Sequence, residues 1–247
     1  MNNQELYKAI FHRKSVRKYD PAPLSAETLA EIESFAGEAK PLIGDISYKI
    51  LLLTADQMGM VSIKAPHYLC LYSEKMEGNL VNAGFILQQI DLQLSAKGLG
   101  SCWIGMGKPA GTPPAVKGME YVIMLGFGKP AEPVHRTQVS EFRRLALSEI
   151  SQISGADDLL EPVRLAPSAS NTQTWQLAGS SREMLLYRKK FNPIKGAIYG
   201  KFNRIDMGIA LCHLWLAIEQ QGKQAGFDFT RQSALAGAEF IAKVSVQ

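Results

Sequence analysis

The chain has 247 residues, of which 46% are hydrophobic and 20% charged, with a formal net charge of +4. That length holds one large domain or two small ones, and that composition builds a real core. The scattered basic residues argue against nucleic-acid and membrane-surface roles, and no apolar run reaches the roughly 20 residues that span a bilayer. No basic-then-apolar leader opens the chain, and Cys70, Cys102 and Cys212 form no C-x-x-C. The expectation is a reducing, cytoplasmic setting with no disulfide framework and no metal site.

In chain order, Leu6, Ile10 and Phe11 recur at helical spacing, so a short helix is expected from Asn3 to Phe11. Arg13, Ser15 and Arg17 then alternate, and in an extended segment their side chains share one face. Two guanidiniums flanking a hydroxyl suit a phosphate, although a solvated basic turn is the commoner fate of such a run. Ser25 is an N-cap for a helix over Ala26 to Glu38, ended near Lys40-Pro41. Two strands follow, Tyr48 to Thr54 and Pro66 to Tyr72. From Leu80 to Ala96 the period is helical and apolar around most of the circumference, with Lys97 in the last turn and Gly98 as the stop.

Gly98 to Gly107, GLGSCWIGMG, reads as a small-residue loop carrying Trp103, and Tyr121 to Leu125 as a buried strand. GFGKPA, Gly126 to Ala131, superficially matches a dinucleotide fingerprint, but Pro130 and Pro133 prevent a helix from opening there to meet a pyrophosphate. That exit reads instead as a turn carrying Lys129, His135 and Arg136 toward an anion. Further on, Ala166 to Trp175 reads APSASNTQTW. Pro167 withholds an N–H, while Ser168, Ser170 and Asn171 bond the backbone locally and favour an open loop before a strand at Trp175.

The two parts of the chain resemble each other. Asn82 to Gly98 lies over Asp206 to Gly222 without a gap, placing Gly84 on Gly208, Leu87 on Leu211, Leu92 on Leu216 and Gly98 on Gly222. The Ser25 to Ala36 helix likewise falls on Gly155 to Ala166, with Leu29 on Leu159 and Phe35 on Leu165. Self-similarity of this kind implies two related units with pseudo-two-fold packing. The link between them is expected at about 139–155.

Four stretches resemble the FMN-dependent nitroreductase family, in its single-chain, internally duplicated branch. RKSVRKYD resembles the family's Arg-x-Ser-x-Arg signature, and APSASNTQTW its Ala-Pro-Ser-x-x-Asn-x-Gln-Pro-Trp loop. NAGFILQQIDLQLSAKGLGSCWIG is similar to the central helix and flavin loop, and VIMLGFGKP to the closing strand and turn. The order is altered, because residues 37–43, GEAKPLI, stand where ordinary members carry the Pro-Ser loop. Thr174 replaces a proline of the motif.

The resemblance implies an α+β fold, a three-layer arrangement of a mixed, mainly antiparallel sheet flanked by helices, with two halves forming a pseudo-dimer. Residues 1–140 would carry the Arg-Ser-Arg motif and residues 141–247 the Pro-Ser loop. One FMN site per chain follows, since each half lacks what the other supplies. Arg13, Ser15 and Arg136 would hold the phosphate end and Arg17 the pyrimidine edge, with Lys14 also among the cofactor-binding residues. Pro167, Ser168, Ala169, Ser170, Asn171 and Gln173 would line the other side, and the backbone of Ile104, Gly105 and Met106 would approach N5.

Trp103 would floor a substrate pocket, and no side chain is expected to act as acid or base, because the chemistry is the cofactor's. NADH or NADPH would reduce FMN in a ping-pong cycle, and a small aromatic or quinone-like electron acceptor would take the hydride. No nucleic acid or membrane partner is implied, and the molecule would be a monomer resembling a dimer, with further oligomerisation left open. The alternatives are a flavin-binding or sensing protein without efficient turnover, and a duplicated interaction protein without cofactor. Trp175, Trp215, His67 and the Cys212-His213 pair read as packing, and Cys102 has no evident neighbour to activate its thiol.

Overall fold

The computed structural model describes residues 2–232 and 235–247. α1 (Asn3–Ile10) begins on a reciprocal cap, in which the Glu5 N–H donates to the Asn2 side chain and the Asn2 N–H donates to the Glu5 carboxylate. Such a cap satisfies amides that a first turn leaves without helical partners. α2 (Ala26–Glu38) has the bounds expected, and the Thr28 N–H donates to Ser25, a cap worth about 1 kcal/mol.

The strands β1 (Tyr48–Thr54), β2 (Met58–Val61) and β3 (His67–Ser73) precede α3 (Asn79–Ala96), and β4 (Gly100–Ile104), β5 (Gly107–Pro109) and β6 (Glu120–Gly128) follow it. β1, β3, β6 and β4 make a four-stranded antiparallel sheet in that order, while β2 and β5 form a separate ribbon. β3 is buried at every position, because both its faces are covered. Leu69 and Leu71 join the main core on one face, and Tyr68, Cys70 and Tyr72 pack with Ile104 and Met124 on the other.

The stretch expected to be a loop over 98–107 is largely strand. Cys102 pairs with Gly126 and Ile104 with Met124 along β6. Its small residues are there for close approach: a Cβ on Gly100 would meet Val16 at 2.7 Å, and one on Gly126 would meet Ile104 at 2.7 Å. Glycine here marks a strand hemmed in by neighbours, not a mobile turn.

After α4 (Leu147–Ile150) and α5 (Asp157–Leu165) come β7 (Trp175–Gly179), β8 (Glu183–Lys189), α6 (Pro193–Gln220), β9 (Ala225–Asp228) and β10 (Ala238–Val246). The second sheet has the order β7-β8-β10-β9. Leaving the ribbon aside, this is the connectivity of the first sheet, with a long helix between the second and third strands in each. The α+β class holds, with the sheet present as two antiparallel sheets. Its mixed character enters through single parallel bridges at the edges, Ser15 to Ser101 on β4 and Ser151 to Leu177 on β7.

α3 rests on β3, β4 and β6, α6 rests on β8 and β9, and the two helices pack on each other between the sheets. Gly84 meets Gly208 at their crossing, as the internal alignment pairs them. Both helices also stop alike. Gly98 and Gly222 each adopt φ 71°; the Gly98 N–H donates to the Ser95 carbonyl and the Gly222 N–H to the Glu219 carbonyl, each at 2.9 Å. α6 runs over three turns further at its N-terminus than the paired stretch, from the Asn192 cap and Pro193. The segment expected to link the halves is embedded, since Phe142 and Ile150 are buried and Ser151 bridges to β7. Among the described residues no helix is long and apolar enough to cross a membrane.

Candidate functional site

Arg13 leaves α1 at its C-terminal end and is 1% exposed. Its Nε lies 2.9 Å from Asp91 Oδ2 of α3, and its Nη2 donates to Ser15 Oγ at 3.1 Å. Asp91 also accepts from Ser101 Oγ at 2.6 Å and from Gln88 Nε2 at 3.2 Å. A buried pair with this many extra partners is held firmly, and stranding one member is costly. The alternation of Arg13, Ser15 and Arg17 does put them on one side: both guanidiniums and the Ser15 hydroxyl act on the Cys102 thiol, which burial nevertheless pushes up. Lys14 points away, donating to the Pro133 carbonyl at 3.2 Å.

Arg136 reaches the same corner. The Arg136 N–H donates to the His12 carbonyl at 2.8 Å, and its guanidinium donates to the Arg13 carbonyl. Arg144 arrives from the embedded segment. Its Nε donates to the Ala166 carbonyl at 3.1 Å, and its Nη1 donates to the Phe142 carbonyl at 2.8 Å and to Asn171 Oδ1 at 2.7 Å. Arg136 and Arg144 both approach the Phe142 ring, their Cζ atoms 4.1 and 5.7 Å from its centroid.

These arginines repel one another. Burial first, then Arg13, lowers Arg136 to about 10, against attraction from Glu141; burial, then Arg13, Arg136 and Arg164, lowers Arg144 to about 9. Only Asp91 makes a close ion pair with the Arg13, Arg136 and Arg144 group among the described residues. A cation cluster left this short of negative charge fits a bound phosphate, and the surrounding donors are forked guanidiniums suited to it. Arg144 was not singled out from the sequence. Its RR dipeptide carries no distinguishing neighbour, and its value lies in what the fold places beside it.

Residues 166–175 form the facing wall. Among the described residues, the four non-glycine positions with positive φ are Arg143, Ser170, Asn171 and Gln173, all in the two loops that meet here. Such backbone costs of order 1–3 kcal/mol each and persists only where surroundings hold it. The holding bonds are on view. Asn171 Nδ2 donates to the Arg143 carbonyl at 3.1 Å, the Leu145 N–H to Gln173 Oε1 at 2.9 Å, and the Gln173 N–H to Ser168 Oγ at 3.0 Å. Gln173 is thus buried scaffolding, while Ser170 and Asn171 are exposed and Pro167 is buried.

Ile104 is buried in the second small core, and the Met106 carbonyl accepts from the Ser62 N–H at 3.1 Å. Gly105 is exposed, but a Cβ there would meet the Phe202 ring of α6 at 2.9 Å. Phe202 is a second residue that sequence reasoning did not single out, because it lies in the helical extension before the repeat. Trp103 is half-buried against the main core, so it is wall as much as floor.

A polar chain runs from this corner through the interior. Gln88 Nε2 lies 3.1 Å from His213 Nε2, and His213 Nδ1 lies 2.7 Å from the Pro162 carbonyl. Since a carbonyl only accepts, Nδ1 carries the proton and Nε2 accepts from Gln88. Burial holds His213 down to about 3, so the imidazole is neutral, and both of its ring nitrogens are engaged by Gln88 and the Pro162 carbonyl. Among the described residues no His/Cys/Asp/Glu group is arranged for a metal.

A family model described as Putative TM nitroreductase matches residues 5–218. No curated protein matches the chain. Among solved structures it is similar to the crystal structure of a putative nitroreductase from Thermotoga maritima, at 21% identity and a TM-score of 0.67, over 100% of this chain and 95% of that one. It is also similar to a nitroreductase with bound FMN from Desulfitobacterium hafniense, at 17% identity and a TM-score of 0.43, over 59% of this chain and 100% of that one. An FMN-dependent nitroreductase from Clostridium difficile is 18% identical, with a TM-score of 0.44, over 56% of this chain and 93% of that one.

Proposed function

This chain belongs to the putative TM nitroreductase family, and from that premise we propose an FMN-dependent NAD(P)H oxidoreductase with one cofactor site per chain. The site lies between residues 1–140, which bring Arg13, Ser15, Arg17 and Arg136, and residues 141–247, which bring Arg144 and the 167–173 loop. The observation that carries the reading is the anion-poor cluster of Arg13, Arg136 and Arg144, tied through Asn171 to the Pro-Ser loop.

When bound there, FMN supplies hydride acceptance from NADH or NADPH and donation to a small aromatic or quinone-like acceptor. The chain's own residues bind and orient. A phosphate beside Arg136 and Arg144 offsets their mutual repulsion, so binding is strengthened by the repulsion it relieves. Arg17, exposed and free of ion pairs among the described residues, serves the pyrimidine edge. Gly105 has no Cβ to bar close approach, and the Phe202 ring lies where that Cβ would be. Ser170, held in left-handed backbone, presents its hydroxyl toward the cofactor, and Asn171 beside it ties Arg144 and the Arg143 carbonyl to the same loop.

The mirror-image site is absent by the same reasoning. Residues 40–43 are tied to α3, with Gln89 bonding both main-chain groups of Lys40, and Asn82 Oδ1 accepting from Leu42 and Ile43. Titration with FMN, followed by visible absorbance and by bleaching with NADH or NADPH under nitrogen, tests the proposal. One FMN per chain that bleaches supports it. A protein that takes up no FMN refutes it, and two per chain refute the single site.

One observation favours a second reading, a flavin-binding protein without efficient turnover. The Phe202 ring sits over Gly105, where a cofactor's reactive edge would come. A bound flavin that NADH and NADPH leave yellow, but that bleaches in Phe202→Ala, would select this reading.

A further inference from the structure

Asp206 is buried on α6, where the partly exposed helical extension gives way to the core, and it stands where the internal alignment puts Asn82 on α3. Both do the same work. Asn82 Oδ1 accepts from the Leu42 and Ile43 N–H groups, fastening the loop after α2. Asp206 accepts from the Ala169 N–H, at 3.1 Å to Oδ1 and 3.2 Å to Oδ2, fastening the loop after α5. The half that keeps the Pro-Ser loop therefore has a carboxylate where the other half has a neutral amide.

The bond does not stop at Ala169. Asn203 Nδ2 donates to Asp206 Oδ2 at 3.0 Å and to Thr172 Oγ1 at 2.9 Å, so one carboxylate grips both ends of the left-handed Ser170–Asn171 turn. Asn203 Oδ1 is buried without a partner among the described residues. A proton taken from solvent by Asp206 has a place to go: with the Asn203 amide turned over, the new O–H donates to that oxygen, the Thr172 hydroxyl has to reverse and donate to it, and the Ala169 N–H is left with a neutral acceptor in place of a charged one.

Charged groups on the surrounding elements are engaged elsewhere. On α6 itself Lys201 lies over the Tyr121 ring and Arg204 pairs with Glu239 of β10, as does Arg188 of β8. Asp91 on α3 is held by Arg13, Arg164 on α5 by Glu161, and Arg144 by carbonyls and Asn171. His213 is neutral. Among the described residues no cation therefore offsets the burial of Asp206, which pushes its carboxyl up to about 7.

We infer that Asp206 is a positioning residue for the cofactor loop: its carboxylate, through Ala169 and Asn203, holds residues 168–173 in the shape that receives FMN, and protonation loosens that hold. The inference rests on the FMN reading for its second half only.

Two measurements separate the parts. The first is the Ala169 amide resonance in protein labelled with 15N-alanine, followed from pH 5.5 to 8.5 without cofactor. It is expected to titrate near neutral pH in the native chain and to stay flat in Asp206→Asn, the arrangement already present at Asn82. A flat resonance in the native chain overturns the inference, whether or not FMN binds. The second is the FMN dissociation constant at both ends of that range. It is expected to rise roughly tenfold on acidification in the native chain, the weight of one hydrogen bond to a charged acceptor, and to change far less in Asp206→Asn. Equal constants at both pH values in the native chain overturn the positioning role. Absence of FMN binding at either pH sinks the cofactor reading instead, and the Ala169 titration still decides whether the carboxylate fastens the loop.

Discussion

Gly84 of α3 and Gly208 of α6 lie against each other where the two long helices cross, and each faces the same point on its counterpart. A Cβ on Gly84 would collide with the Ile205 carbonyl, three residues before Gly208, and a Cβ on Gly208 with the Val81 carbonyl, three residues before Gly84. The contact is reciprocal, the pattern that a local two-fold relation between the two helices gives. Backbone meets backbone, so no side chain can swing aside to relieve an added methyl.

Gly84→Ala and Gly208→Ala should each cost roughly 3 kcal/mol, the upper part of the range for overpacking, read as a fall in the urea midpoint. Gly37→Ala is the control. It lies in the last turn of α2 with open space about its Cα, so alanine there should be neutral or stabilise by up to about 1 kcal/mol. Equal midpoints for Gly84→Ala and Gly37→Ala would mean that the crossing is not tight.

Arg144→Ala should raise the FMN dissociation constant roughly tenfold or more, since a hydrogen bond to a charged group is worth about 1.5–3 kcal/mol. Lys14→Ala should leave it unchanged, because Lys14 is turned to the Pro133 carbonyl. Loss of affinity in Lys14→Ala with none in Arg144→Ala would reverse the assignment of the phosphate end.

Arg13 has a second duty that complicates its use as a probe. Arg13→Ala strands the Asp91 carboxylate in the core, which should cost about 3–5 kcal/mol of stability. Adding Asp91→Asn should recover part of that loss, because a neutral amide is cheaper to leave unpaired than a charge. Additive effects in this cycle would show that the pair is not coupled.

His213 and Asp206 should pull the pH dependence of stability in opposite directions. Burial lowers His213 to about 3, so its contribution is intact above the unfolded value near 6.5 and is lost as pH falls below it. Burial raises Asp206 to about 7, so its contribution is intact below the unfolded value near 4 and is lost as pH rises through 7. Between pH 6 and 4.5 the two slopes oppose. His213→Gln should therefore become more stable on acidification relative to the native chain, by about 1.4 kcal/mol per pH unit at most. Parallel curves would show that the imidazole takes up a proton in the folded state.

Much of the scaffold was legible in residue order. The Ser25 cap and its apolar stripe gave α2 its bounds, and the aligned glycines at 84 and 208 marked the point where the two long helices meet. GLGSCWIGMG misled, because the same absence of side chains serves a turn and a strand crowded by Val16 and Ile104, and only the neighbours distinguish them. The second sheet, too, was largely invisible beyond Trp175, its edge strand β9 being short and half-buried throughout.

For the site, sequence by itself marked the two remote motifs, because chemistry-bearing residues at fixed local spacing need no partner to be recognised. Arg13, Ser15 and Arg17 alternate in any extended segment, and APSASN resists helix wherever it stands. What only the tertiary structure decided is which charges share one corner and which are spent: Arg13 is paired with Asp91, Lys14 is turned away, and Arg144 is brought from the embedded segment to Asn171. The physical reason is range. Capping, periodicity and turn formation act within a few residues, whereas desolvation and repulsion among buried charges depend on what lies nearby in space, and there Arg144 and Asp206 acquire the properties that their own neighbours in the chain do not encode.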